Sequence, residues 1–136
     1  MKEPHWILVR AAEAIHKRQI AEHGGIPGIR DRNGLEAALA RPRNLFAYGE
    51  DAAPARLAAA YAFGIAKANH PFNDGNKRTA LVVSLTFLRI NGFDLRAPLE
   101  ERYDKFEGVA AGRVSEGDFS QWFEQNTVKA GKPSQR

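Results

Sequence analysis

His70-Pro71-Phe72-Asn73-Asp74-Gly75-Asn76-Lys77-Arg78-Thr79-Ala80 sets a base, a carboxylate, a glycine, amides and two cations side by side. The apolar run from Leu81 to Ile90 follows at once. This order reads as a polar loop feeding the N-terminus of a buried helix. The N–H groups of a first helical turn lack partners and carry partial positive charge, so they form a ready anion site. Asp74 is a good N-cap type. Gly75, without a side chain, leaves room for a phosphate beside the backbone. Lys77 and Arg78 add charge and hydrogen bonds at the same mouth, with Asn76 as a further polar contact. An imidazole at His70 can take a proton from an attacking hydroxyl. A lone carboxylate beside phosphates is a usual way to hold Mg²⁺, and Asp74 is the candidate ligand. Phe72 is expected to plug the loop into the core, and Asn73 to be a loop amide with no chemical role. Capping a buried helix would account for any one of these residues; the set together points to phosphate chemistry. A zinc pair of His70 and Asp74 lacks a third ligand nearby.

Ahead of this loop, Ala55 to Asn69 reads as an alanine-rich helix, opened by Pro54 and stopped before His70-Pro71. Beyond it, Gly75 to Asn91 is apolar nearly all round after its first turn, the pattern of a central helix, with Asn91-Gly92 as its stop. Residues 8–23 form a helical pattern with Leu8, Ala11, Ala12 and Ile15 on one face, ended by Gly24-Gly25; His16 and His23 read as packing or surface histidines. Gly24 to Gly34 is turn-rich. Within it Ile26, Pro27, Gly28, Ile29, Arg30 and Asp31 are candidates for a flap that lies over a site and holds an extended peptide. Asp31 or Asn33 can cap a short helix around Leu35 to Ala40, which Pro42 is expected to end, and Arg43 to Ala53 reads as loop. Pro98 opens a helix with Leu99, Tyr103, Phe106 and Val109 on a face. Ser115 caps the last helix, whose stripe is Phe119, Trp122 and Phe123. The tail 128–136 is expected to be disordered. The expectation is one all-α domain over 1–136, a compact bundle of about six helices around a buried central helix.

With 136 residues, 43% of them hydrophobic, the chain is long enough for a real core. It has no cysteine, which excludes disulfides and thiolate metal sites and fits a reducing cytoplasm. The segment Met1 to His5 lacks a signal-peptide pattern and no apolar run reaches membrane-spanning length, so a cytoplasmic protein is expected. The net charge of +4 allows nucleic acid, an acidic partner or phosphate-bearing substrates. Lys and Arg are scattered rather than gathered in a stripe, which leaves RNA binding as an alternative only.

His70 to Arg78 resembles the signature of the Fic/Doc family, written His-Pro-Phe-x-Asp/Glu-Gly-Asn-Gly-Arg-x-x-Arg in its Fic members. Lys77 stands where those members have glycine, and Leu81 where they have the second arginine. Asn76-Lys77-Arg78-Thr79-Ala80-Leu81 is similar to the death-on-curing (Doc) branch, as are the Gly24-Gly25 loop through Arg41-Pro42 and Phe87 to Gly92. Gly75 is the Fic-like feature, where Doc members can have alanine. The resemblance implies the Fic/Doc fold, with ATP and Mg²⁺ as cofactors. His70 would be the general base, Asp74 the Mg²⁺ ligand, and Gly75, Asn76, Lys77 and Arg78 the nucleotide-binding residues. For the Doc branch it implies a toxin of a type II toxin–antitoxin system that transfers the γ-phosphate to a threonine of elongation factor Tu and so stops translation. The alternative, from the Fic branch, is AMP transfer. The resemblance also implies a small Phd-like antitoxin, through which alone the toxin meets nucleic acid, and a docking flap for the target over Ile26 to Asp31. The pattern Ser120 to Glu124 partly matches a self-inhibitory helix of Fic proteins and reads as coincidence, so inhibition is expected from another chain.

Overall fold

The computed structural model describes residues 2–49 and 53–131. The chain is all-α, with a two-stranded ribbon. α1 is Val9–His23, α2 Arg32–Tyr48 and α3 Pro54–Phe63; a π-helical turn Gly64–Ala68 continues α3. α4 is Asn76–Ile90, β1 Phe93–Leu95, α5 Leu99–Ala110, α6 Glu116–Asn126 and β2 Thr127–Lys129. α4 is the central helix and packs against α1, α3, α5, β1 and the π turn.

The alanine-rich α3 buries Ala55 and every residue from Leu57 to Ala62, and these small side chains let α2, α4 and α6 come close. Tyr61 is fully buried against Phe87, at 5.1 Å between ring centroids, and burial raises its phenol pKa. Its hydroxyl accepts the Ile7 N–H at 2.9 Å, which ties the segment before α1 to the core. At the other end Phe106, Phe119, Trp122 and Phe123 form an aromatic cluster with centroids 5.0 to 6.5 Å apart. The Trp122 indole donates to Glu101 at 3.0 Å. Ser115 caps α6 as expected, accepting from the Asp118 N–H at 3.1 Å.

Several expectations need correction. Asp31 caps α2 through the Gly34 N–H, but the helix does not stop at Pro42; it runs on to Tyr48 and takes in most of the expected loop, whose residues 50–52 lie outside the described ones. Leu35, Ala38, Leu39 and Pro42 are buried at i, i+3, i+4 and i+7, and this burial outweighs the missing proline N–H. α3 does not stay α-helical to Asn69. From Gly64 it widens into the π turn, closed by Asn69 N–H donating to Gly64 C=O at 2.9 Å. A Cβ on Gly64 would lie 2.9 Å from the Arg41 side chain, so α2 crosses close there. On α5, Phe106 and Val109 are buried while Leu99 and Tyr103 are exposed. The tail is not frayed from 128: Thr127–Lys129 pairs antiparallel with Phe93–Leu95. Residues 132–136 lie outside the described residues.

Replacing Tyr61 with Phe keeps the ring but leaves the buried Ile7 N–H without an acceptor. Denaturant titration should show a loss of about 1–2 kcal/mol. An unchanged midpoint would mean that water reaches that amide.

Candidate active site

The π turn delivers the chain to Asn69 and then to His70, which has φ +45° and is the single non-glycine residue with positive φ among the described residues. This left-handed conformation costs an L-residue roughly 1–2 kcal/mol. Arg30 holds it. Its guanidinium donates twice to the His70 carbonyl, at 2.9 and 2.6 Å, and once to that of Asn69, at 2.9 Å. The His70 side chain is exposed, and no hydrogen bond among the described residues occupies its imidazole.

Phe72 plugs the loop into the core, fully buried, as expected. Asn76 closes a ring on it: Phe72 N–H donates to Asn76 Oδ1 at 3.0 Å, and Asn76 Nδ2 donates to Phe72 C=O at 2.9 Å. The Asn76 amide is thus spent on the shape of the loop and is not aimed at a phosphate. His16 of α1 stacks on Phe72 with centroids 3.9 Å apart and planes at 6°. Its Nε2 lies 2.8 Å from the Asp74 carbonyl oxygen. A carbonyl only accepts, so Nε2 carries the proton. The packing histidine therefore holds the loop in place.

The candidate flap is pinned to this loop. Ile29 and Phe72 form an antiparallel bridge. Arg30 and Asp31 N–H donate to Pro71 C=O at 2.8 and 3.0 Å, and Asn73 N–H donates to Gly28 C=O at 3.1 Å. Asn73 Nδ2 donates to Pro27 C=O at 3.0 Å, so Asn73 is a fastener. The bridge turns the N–H and C=O of Ile29 to the opposite edge. Ile26 is 62% exposed.

Asp74 is not the N-cap of α4. Gly75 is, at φ +74°, with no capping side chain. Asp74 instead accepts the Ile26 N–H at 3.0 Å through Oδ2 and the Gly75 N–H at 2.8 Å through Oδ1. These bonds, Ile26 first, hold its carboxyl pKa below the ordinary value, with the Arg78 charge adding to them. A Cβ on Gly25, at φ +121°, would lie 2.7 Å from Asp74 Oδ2, so only glycine allows this approach. Gly75 serves the left-handed turn; the space beside its Cα is taken by Ile20, 3.2 Å from where a Cβ would be.

Without a capping side chain, the N–H groups of Asn76, Lys77 and Arg78 form the open first turn of α4. Arg78 Nη2 donates to Gly24 C=O at 3.0 Å, while its Nε is buried without a partner. Lys77 Nζ pairs with the Glu107 carboxylate of α5. His70, Asn73, Asp74, Lys77 and Arg78 line one open chamber of about 320 Å³. Among the described residues no three or more His, Cys, Asp or Glu are grouped to hold a metal ion. Asp74 suits a cation whose remaining ligands are phosphate oxygens and water, and the Arg78 guanidinium adds positive charge to the same chamber. Ser120 and Glu124 line a separate groove with Leu45 and Ala60, sharing no residue with this chamber. Sequence reasoning missed His16, Gly25 and the clamp by Arg30, because no spacing rule links residues so far apart in the chain.

Residues 6–88 match the Fic/DOC family model. The chain is 38% identical over 102 residues to "Protein kinase doc" of Escherichia phage P1, covering 75% of this chain and 79% of that protein. It is 48% identical over 80 residues to "Toxin Doc" of Mycolicibacterium smegmatis, covering 57% of this chain and 59% of that protein.

Two outcomes check this geometry. His16→Phe keeps the stack on Phe72 but leaves the Asp74 carbonyl without its donor; the loss should be about 1 kcal/mol, with faster amide exchange at Gly75 and Ile26. Unchanged exchange would mean that α1 does not hold the loop. The depressed Asp74 pKa gives the second. Its tether to Ile26 is complete above the ordinary aspartate value of 3.8 and is lost as pH falls through the lowered one. The Ile26 amide proton resonance should therefore titrate below that value; a midpoint at or above it would contradict the tether.

Proposed function

The chain belongs to the Fic/DOC family, and on that premise we propose that it is the toxin of a type II toxin–antitoxin system, a kinase that moves the γ-phosphate of ATP to a protein hydroxyl. The target proposed is a threonine of elongation factor Tu, and the consequence an arrest of translation. The observation that carries this reading is the chamber itself. An unoccupied imidazole, a fixed carboxylate and the open, cation-flanked N-terminus of α4 share it. The names of the two relatives, a protein kinase and a toxin, support the same reading.

In this mechanism His70 takes the proton from the attacking hydroxyl, whose oxygen forms the new bond to the γ-phosphorus as the bond to the ADP oxygen breaks. The first-turn N–H groups, Lys77 and Arg78 bind phosphate oxygens and stabilise the charge that develops. Asp74 would hold Mg²⁺, which when bound neutralises phosphate charge. Ile26 to Asp31 would present the free edge at Ile29 to an extended segment of the target. An acidic Phd-like antitoxin is the partner proposed, the only link to nucleic acid, and the compartment is the cytoplasm. Among the described residues no helix is long and apolar enough to cross a membrane.

AMP transfer is the second reading. It needs the β- and γ-phosphates held beyond the reacting phosphorus, and Leu81 offers no charge for that. Gly75 no longer favours it, since the left-handed N-cap accounts for the glycine. RNA binding is less favoured still: Arg18, Arg32, Arg41 and Arg89 are each paired with a carboxylate.

His70→Ala should melt as the parent does, because the side chain is exposed, yet lose about 10²–10⁴-fold in transfer rate; growth arrest undiminished by the variant would sink the assignment. With extract, Mg²⁺ and ATP labelled at either the γ- or the α-phosphate, label should enter a protein of the target's size from γ-labelled ATP alone. Entry from α-labelled ATP would establish AMP transfer instead.

A further inference from the structure

Arg30 differs from the other arginines of the surface in what it binds. Arg18, Arg32, Arg41 and Arg89 each pair with a carboxylate. Arg30 is exposed, yet among the described residues its hydrogen bonds go to main-chain carbonyls. Nε and Nη2 converge on the His70 oxygen at 2.9 and 2.6 Å, and Nη2 also reaches the Asn69 oxygen at 2.9 Å. The planar guanidinium supplies this fixed fork of donors; a lysine ammonium is a point charge without it. The two oxygens belong to the two peptides on either side of the His70 Cα. The dihedrals φ and ψ of His70 are the rotations between those peptides. One side chain that grips both oxygens therefore fixes both angles. In an extended conformation successive carbonyls diverge, and one guanidinium would lose one of them.

Left to itself, His70 would leave this conformation for two reasons. It has φ +45° without being glycine. It also precedes Pro71, which pushes the residue before it toward extended backbone. We propose that Arg30 is a positioning residue for the base: by binding both peptides of His70 it keeps the imidazole aimed into the chamber. The inference rests on the phosphate-transfer reading, in which His70 takes the proton. The dihedrals that Arg30 fixes also set the direction of the Cα–Cβ bond. An extended His70 would carry its imidazole elsewhere, and a base acts only within hydrogen-bond reach of the proton it removes. The residues after His70 are held by other means. Pro71 C=O accepts the Arg30 and Asp31 N–H groups, and the Asn76 amide holds Phe72. Loss of the Arg30 side chain thus releases His70 while the loop beyond it, with Asp74 and the first turn of α4, stays in place.

The test separates aiming the base from binding. Transfer of the γ-phosphate of ATP to elongation factor Tu is measured, with Mg²⁺, for the parent, Arg30→Ala, Arg32→Ala and His70→Ala, each checked by a melting curve. Arg30→Ala should lower kcat about tenfold, the scale of the population lost when an L-residue leaves the left-handed region unsupported. The KM values for ATP and for the protein target should not change. Free guanidinium ion should restore part of the lost rate in Arg30→Ala. Arg32→Ala removes a neighbouring cation and should keep the parent's kcat. In the proton spectrum of labelled protein, a strong cross-peak between the His70 N–H and its own Hα marks positive φ. It should weaken in Arg30→Ala and persist in Arg32→Ala. An unchanged kcat in folded Arg30→Ala, a higher KM for the target with kcat intact, or a lower kcat with the positive-φ signal intact overturns the positioning role while the phosphate-transfer reading stands. A parent that transfers no phosphate, or His70→Ala working at the parent's rate, overturns the reading of His70 as the base, and the positioning role with it.

Discussion

The burial of Phe72 is the constraint on which the site depends. Its ring fills the space under the loop, between His16 and the core, and burial of a phenylalanine contributes about 1.5–3 kcal/mol. Both backbone polar groups of Phe72 would be stranded in that apolar setting, and the Asn76 amide satisfies the two at once. With Phe72 and Asn76 fixed, the residues between them have few ways to run. Asp74 turns its carbonyl inward to His16 and its carboxylate outward to Ile26. The polar chemistry at the mouth of α4 is therefore shaped by an aromatic ring that never meets solvent.

The helices behind the loop set where that chemistry lies. α3 and α4 form the centre, and the π turn between them displaces the chain by one residue relative to a regular helix. After Asn69, His70 enters the loop in a left-handed conformation, which Arg30 clamps from the flap side. Strain of this kind persists where neighbouring structure over-determines it, and here the clamp, the following proline and the flap bridge do so together.

Much of this was legible in the chain. The polar-to-apolar switch at Ala80 marked α4, the caps at Asp31 and Ser115 marked α2 and α6, and Asn91-Gly92 marked the end of α4. These are local signals, and the structure agrees with them. What stayed hidden was set by distance in the chain. Pro42 lies inside a helix because its face is buried, which no proline rule reports. Asp74 has the composition of an N-cap but accepts from Ile26 instead, 48 residues away. His16 looked like any packing histidine until α1 was laid across the loop. The ribbon of β1 and β2 joins two three-residue strands too short to show an alternation.

The zipped flap has a consequence in the language of linkage. Arg30 both belongs to the flap and grips the carbonyl of His70, while Ile26 grips the carboxylate of Asp74. Opening the flap therefore breaks the bonds that hold His70 and Asp74 at once, which couples the two ends of the chamber. Any molecule that binds the outer edge at Ile29 more tightly in the zipped state lowers the free energy of the assembled chamber by the same amount. By reciprocity, a ligand that steadies the chamber tightens the edge equally. The flap and the loop are thus fastened together at both ends of the chamber, by Arg30 at the His70 carbonyl and by the Ile26 N–H at the Asp74 carboxylate.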